Sequence, residues 1–92
     1  MLPQLTTQIP GPRSCLLGEQ LGRYESRNIT FVSDEFPIFW DRAEGSNVWD
    51  VDGNCFLDLT SAFAVSSLGH RNPKIIKALS SQANKLLHGM GD

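Results

Sequence analysis

Apolar residues recur at helical spacing in an early stretch of the chain, residues 14–24. This spacing predicts a first helix with Ser14 as its N-cap, although Gly18 and Gly22 lower the helix propensity. Residues 1–12 contain three prolines and one glycine, which predicts an extended arm ahead of the helix. The apolar positions of this helix are Leu16, Leu17, Leu21 and Tyr24.

A second apolar stripe begins near residue 73. Asn72 is a favourable N-cap, and Pro73 suits the first helical position, where its missing N–H costs nothing. The stripe predicts a long amphipathic helix over residues 73–88, with Gly89 as the C-terminal stop. Its apolar members are Ile75, Ile76, Leu79, Ala83, Leu86 and Leu87.

Strand patterns occupy the segment between the two predicted helices. Residues 47–51 and 55–59 favour β-structure and flank Asp52-Gly53-Asn54, which predicts a hairpin because glycine accepts positive φ. Residues 28–40 mix β-formers with Pro37, which favours an edge strand or an extended connector. The order of elements predicts an α+β fold: arm and helix, β-hairpin, long helix. Apolar runs without a partner in the chain indicate a missing remainder or a partner subunit.

Composition excludes several classes of protein. The 92 residues carry a net charge of -2 with scattered basic side chains, which argues against a nucleic-acid surface. The apolar runs are too short to span a bilayer, and the N-terminus lacks a secretory pattern. We therefore expect a cytoplasmic protein without a membrane partner, in which Cys15 and Cys55 are reduced thiols.

The titratable residues form no complete site in the sequence. Asp50 and Asp52 suggest a calcium loop, but with Gly53 at loop position 6 the ligand positions 1 and 12 are aliphatic, so the hairpin interpretation is favoured. His70 precedes a helix start and His88 closes the predicted helix, which favours structural roles for both. We predict no catalytic, cofactor-binding or metal-binding residue from these patterns. The lysines lie on the wet face of the second helix or near its end and are poor Schiff-base candidates: Lys74, Lys77 and Lys85.

The motifs together resemble a known enzyme family. Residues 45–54 (GSNVWDVDGN), the run Phe56-Leu57-Asp58, then Gly69-His70 and Pro73 are similar to the N-terminal signature of class III aminotransferases of the ornithine and omega-amino-acid type, which have fold type I. The resemblance covers residues 36–92. It implies that residues 1–27 are an N-terminal arm and helix, and that residues 28–92 are part of the small domain of an α/β enzyme whose large cofactor domain is absent.

The resemblance also implies an activity. Such an enzyme moves an amino group from an amino acid or amine to a 2-oxo acid, uses pyridoxal 5'-phosphate and is a homodimer. Its cofactor lysine lies downstream of a segment like this one, so we expect the 92-residue chain alone to be inactive. Phe63 matches a substrate-side position, where it would form an apolar wall; the alternative is a buried core phenylalanine. Ser33 lies near a second, loosely aligned substrate contact. A stand-alone interaction module derived from the family remains the alternative function.

Overall fold

A computed structural model describes residues 1–26, 35 and 37–91 of the chain. The predicted connector at residues 28–40, the domain boundary at 27/28 and Ser33 therefore lie wholly or largely outside the described residues. The described part is a small α+β structure, with two helices and a three-stranded antiparallel sheet of order β1-β2-β3. The elements are α1 (Pro12–Tyr24), β1 (Trp40–Glu44), β2 (Asn47–Asp50), β3 (Cys55–Leu57) and α2 (Pro73–Ala83).

The predicted hairpin is the pair β2–β3. Gly53 has φ +86°, and its N–H donates to the Asp50 carbonyl at 3.1 Å. The Asp50 N–H in turn donates to the Asn54 carbonyl at 3.0 Å. Glycine at this position closes the turn without the steric cost that a side chain would meet. The second arm is shorter than predicted, because β3 ends at Leu57 and Asp58 begins a turn.

The first strand was not predicted from the sequence. β1 pairs with β2 through a two-residue loop, Gly45-Ser46, with Glu44 opposite Asn47. Gly45 has φ +59°, as expected for glycine in the first position of a tight hairpin loop. A β-bulge lies between Trp40 and Arg42. The sheet is therefore a three-stranded meander rather than a single hairpin.

The predicted N-cap of helix α1, Ser14, is wrong. The helix begins at Pro12, so Ser14 lies inside its first turn and is buried, and the N-cap residue is Gly11, which provides no side-chain bond. The cap comes instead from the β2–β3 turn: Asp52 accepts from the Arg13 N–H at 2.7 Å and from the Ser14 N–H at 2.9 Å. A side chain on Gly11 would overlap the Asp52 carboxylate, so glycine gives this cap access.

Helix α2 begins as predicted and ends earlier. The Asn72 side chain accepts from the Lys74 N–H at 3.0 Å, with Pro73 at the first helical position. The helix ends at Ala83, so the predicted end near His88 and the stop at Gly89 are wrong. An amphipathic helix is stabilised mainly by the surface on which it packs, and every residue of α2 is exposed. The last predicted turns lack that support.

The core of the described residues is small. Val48 and Cys55 are the buried hydrophobic residues among them, on the adjacent strands β2 and β3. The N-terminal arm pairs with the outer edge of β3, where Gln4 exchanges two main-chain hydrogen bonds with Cys55, at 3.0 and 2.7 Å. Neither described helix is long and apolar enough to cross a bilayer.

Candidate functional site

Residues 59–69 form a surface loop, named here the 59–69 loop, whose two ends are fixed to the β1–β2 turn. Before the loop, the Asp58 N–H donates to the Ser46 carbonyl at 2.8 Å. After it, His70 and Gly45 exchange two main-chain hydrogen bonds, at 2.8 and 2.9 Å. A loop of this length with adjacent ends is an Ω-loop, a type that often carries functional residues.

The side chains of Asp58 and His70 join the ends of this loop directly. His70 Nε2 lies 2.7 Å from Asp58 Oδ2, in a hydrogen bond where the imidazole donates because a carboxylate only accepts. The two side chains are 13% and 4% exposed respectively, so water has little access to the bond. The Trp40 ring contacts the imidazole edge-on, with ring centroids 5.8 Å apart. The sequence predicts a structural role for His70 from its position before a helix start, and the structure shows the Asp58 carboxylate as its side-chain partner.

The other oxygen of Asp58 caps the start of the loop. Oδ1 accepts from the Thr60 N–H at 2.9 Å, the Thr60 hydroxyl at 3.0 Å and the Ser61 N–H at 2.9 Å. The hydrogen bond from His70, supported by those from Thr60 and Ser61, outweighs burial and lowers the pKa of the Asp58 carboxyl to about 2. The carboxylate is thus charged at neutral pH, with acceptor bonds on both oxygens.

Four consecutive residues in this loop adopt left-handed backbone conformations. Their φ values are 51°, 50°, 58° and 68° for Ser61, Ala62, Phe63 and Ala64, none of which is glycine. Such a conformation costs roughly 1–2 kcal/mol per residue because Cβ crowds the next carbonyl oxygen. Strain of this kind persists only where surrounding contacts over-determine it, and it is concentrated at functional sites.

Phe63 lies at the centre of the strained turn and points into solvent. Its side chain is 95% exposed in the described structure, so the alternative of a buried core phenylalanine is not realised within this chain. Neighbouring apolar side chains of the loop are also exposed, and we call the set the apolar loop surface: Leu59, Phe63, Val65 and Leu68. Beside it, a groove runs between the end of the loop and Ile75 and Ile76 of α2. No described contact tests the predicted substrate role of Phe63.

The Asp-x-Asp-Gly-Asn segment has a structural task at each polar position. Asp50 Oδ1 accepts from the main-chain N–H groups of Asp52 and Asn54, at 3.0 and 2.8 Å, and its Oδ2 accepts from the Asn54 amide at 2.9 Å. Both Asp52 oxygens cap α1. Burial raises the pKa of the Asp52 carboxyl, but the N–H donors of Ser14 and Arg13 outweigh it, so this pKa lies below its ordinary value. These oxygens already accept protein hydrogen bonds, which supports the hairpin over the calcium loop.

The three lysines and His88 make no described hydrogen bond or ion pair with the 59–69 loop. Lys74, Lys77 and Lys85 are all exposed, on α2 or just beyond its end. His88 lies five residues past the last helical residue, so it does not close the helix as predicted. The described residues contain no cluster of three or more His, Cys, Asp or Glu side chains able to hold a metal.

Solved structures with the same fold indicate the class of protein that the chain resembles. The chain superposes on acetylornithine aminotransferase from Elizabethkingia anophelis with a TM-score of 0.68 and 37% identity, over 79% of this chain and 17% of that one. It is also 38% identical over 65 residues to the acetylornithine aminotransferase of Caldanaerobacter subterraneus subsp. tengcongensis, covering 71% of this chain and 16% of the relative. A third relative, the 4-aminobutyrate aminotransferase of Mycobacterium leprae, is 36% identical over 85 residues, covering 92% and 18%.

The family model for class-III aminotransferases matches residues 30–91, two thirds of the chain. The chain belongs to that family, and the resemblance drawn from the motifs is confirmed. The chain spans less than one fifth of the length of the relatives it matches. Pyridoxal phosphate, the cofactor implied by the family, requires a lysine that can be neutral for Schiff-base formation. All three lysines are exposed to water, so the described residues do not fit that group.

Two features of the site were missed from the sequence. The Asp58–His70 bond joins residues twelve positions apart, with no local spacing signal to link them. The β1–β2 turn did have a signal, since Gly-Ser between two possible strands is a recognised hairpin pattern. The acidic and basic residues of β1 weakened this hairpin signal, because charged residues are uncommon in strands.

Proposed function

We propose that the chain is the N-terminal segment of a pyridoxal-phosphate-dependent aminotransferase that moves an amino group from an amino acid or amine to a 2-oxo acid. Family membership carries this proposal, since residues 30–91 match a model of enzymes several times longer. In this assignment residues 1–27 are the arm and first helix, and residues 28–92 belong to the small domain. The homodimer and the cytoplasmic location remain predictions.

The exposed apolar side chains support the proposal that other parts of a larger enzyme cover this segment. Phe63, Val65 and Leu68 project from the 59–69 loop, and Ile75, Ile76 and Leu79 line α2, all open to solvent. An apolar surface of this extent is typical of an interface or of a face covered by the rest of a domain. The large cofactor domain and a partner subunit are the proposed covering.

The chain alone is proposed to be inactive. A Schiff-base lysine needs a desolvated setting or a neighbouring cation, and the lysines of α2 and of the turn after it are all exposed. Pyridoxal phosphate supplies an electron sink for amino transfer when it is bound. In the complete enzyme this segment would contribute shape and apolar surface beside the substrate, and the residues that hold the cofactor would lie elsewhere.

Phe63 is the residue proposed to face the substrate. Its neighbours Ala62 and Ala64 are small, which leaves space around the phenyl ring. An aromatic wall would favour amino donors with an apolar or extended chain, since such a contact is worth about 1–3 kcal/mol for each methylene gained or lost.

Replacing Phe63 by alanine in a complete enzyme that carries this segment tests the wall. The ratio of kcat/KM between a short and a long amino donor should change by about tenfold or more. Leu59→Ala, in the same apolar loop surface, is the matched control. Equal donor ratios for the parent enzyme and the Phe63 variant would contradict the substrate role.

A stand-alone interaction module is the second candidate, because the same exposed apolar residues would serve a protein partner. The coding sequence after codon 92 separates the two candidates. The aminotransferase proposal predicts that it continues into a large domain that contains a lysine after a buried strand. A stop codon there, with no remainder in another frame, would support the interaction module instead.

A further inference from the structure

We infer that Asp58 and His70 are positioning residues: their side-chain bond holds the left-handed turn of residues 61–64 and so sets the direction of Phe63. The consequence for substrate rests on the proposed function of Phe63, whereas the hold on the backbone does not. Neither residue is proposed to touch substrate or cofactor.

The Asp58–His70 bond lies at the base of the loop. Asp58 and His70 flank the 59–69 loop on either side, and their 2.7 Å contact closes it through side chains. The main-chain bonds to Ser46 and Gly45 fix the same two points to the sheet. Both ends of the loop are therefore fixed to the β1–β2 turn, which limits the backbone conformations open to the residues between them.

Asp58 also contacts the turn itself. Its Oδ1 accepts from the N–H of Ser61, the first of the four residues with positive φ. With Oδ2 held by His70, the carboxylate is fixed in direction when it caps that N–H. The hydrogen bonds inside the loop, such as Ala64 N–H to the Thr60 carbonyl at 3.1 Å, then continue from the capped residue.

Beyond the main-chain hydrogen bonds within the loop, such as Ser66 N–H to the Ser61 carbonyl at 2.9 Å, the described contacts that hold the turn are those of Asp58. Ala62 and Ala64 have no glycine-like freedom, and Phe63 is almost fully exposed, so packing of the phenyl ring does not offset the strain. The Asp58–His70 bond and the cap on Ser61 are the polar contacts that over-determine the conformation at its base.

Nuclear magnetic resonance of a complete enzyme that carries this segment, with its serine and phenylalanine residues isotope-labelled, tests the inference without a measurement of activity. Positive φ brings the amide proton close to its own Hα, which gives strong intraresidue cross-peaks for Ser61 and Phe63. Asp58→Ala and His70→Phe should each lose these cross-peaks while the cross-strand contacts of β2 and β3 persist. Asp52→Ala, the same change at the carboxylate that caps α1, should keep them.

A backbone rescue separates positioning from general stabilisation. Glycine accepts positive φ at no steric cost, so adding Ala62→Gly and Ala64→Gly to Asp58→Ala should restore the cross-peaks of Ser61 and Phe63. The inference would be overturned if these cross-peaks were absent from the unmodified enzyme or persisted in both single variants. Loss of the sheet contacts along with the cross-peaks, or failure of the glycine rescue, would overturn it as well. The donor specificity of Phe63 is decided separately by its alanine variant.

Discussion

At the scale of single residues, one short motif supports three parts of the molecule. Asp50 orders the β2–β3 turn, Asp52 caps α1, and Asn54 binds the N-terminal arm. Asn54 is fully buried, and its amide oxygen accepts from the N–H groups of Thr6 and Thr7, at 2.6 and 2.8 Å. Its amide nitrogen donates to the Thr7 hydroxyl and to Asp50. The polar side chains of this motif therefore have structural roles.

Asn54→Ala should destabilise the chain by about 1–3 kcal/mol, because it leaves buried donors and an acceptor without partners. Urea denaturation measures the change in the free energy of unfolding. Asn84→Ala is the matched control: that amide donates to the Ser80 carbonyl at the exposed end of α2, and its loss should stay within about 0.5 kcal/mol. Equal effects of the two substitutions would show that Asn54 does not anchor the arm.

The lowered pKa of Asp58 predicts how the stability of the fold depends on pH. Its pKa is about 2 in the folded chain, against about 3.9 when unfolded. A carboxyl with a lowered folded pKa contributes stability that is complete above the unfolded value and is lost as pH falls from about 4 through about 2. Asp58→Asn should therefore flatten the fall in stability over this window. An unchanged acid profile, matching that of the exposed Asp41→Asn control, would contradict the bond to His70.

At the scale of elements, the two helices begin by different devices. The cap of α2 is local, from Asn72 to the Lys74 N–H, and the sequence predicts it. The cap of α1 comes from Asp52, 38 residues beyond Ser14. Local pattern therefore finds the start of one helix and misplaces the start of the other.

Asn72→Ala should cost α2 about 1 kcal/mol, because the Lys74 N–H loses its acceptor. Circular dichroism should show reduced helix content, and the amide shifts of Lys74 and Ile75 should move towards coil values. Asn72→Ser, which keeps a capping oxygen, should restore both. A similar loss in the serine variant would argue against the cap as the cause.

The sequence predicts what is decided within a few residues. Asp-Gly in the β2–β3 turn and Asn-Pro at the start of α2 are local signals, and both elements begin where expected. The end of α2 depends on packing, and all of its residues are exposed, so the apolar stripe overstates its length. Of the candidate site, family resemblance points to Phe63, and its role stays a prediction. The Asp58–His70 bond forms only on folding.

At the level of the whole molecule, the described residues bury little apolar surface. Val48 and Cys55 are the buried hydrophobic residues among them, while Phe63, Val65 and Leu79 are open to water. Small domains depend on apolar burial for stability, so these exposed side chains call for a covering surface. The distribution fits a segment whose apolar surfaces are covered by a larger enzyme.

A segment exchange tests whether this chain can serve as part of a class III aminotransferase. Residues 30–91 would replace the equivalent segment of the Elizabethkingia anophelis acetylornithine aminotransferase, which shares the fold at a TM-score of 0.68. The measurement is the rate of amino transfer to a 2-oxo acid. We expect a cofactor-loaded hybrid that retains amino transfer. A folded hybrid that binds the cofactor and transfers no amino group would contradict this expectation.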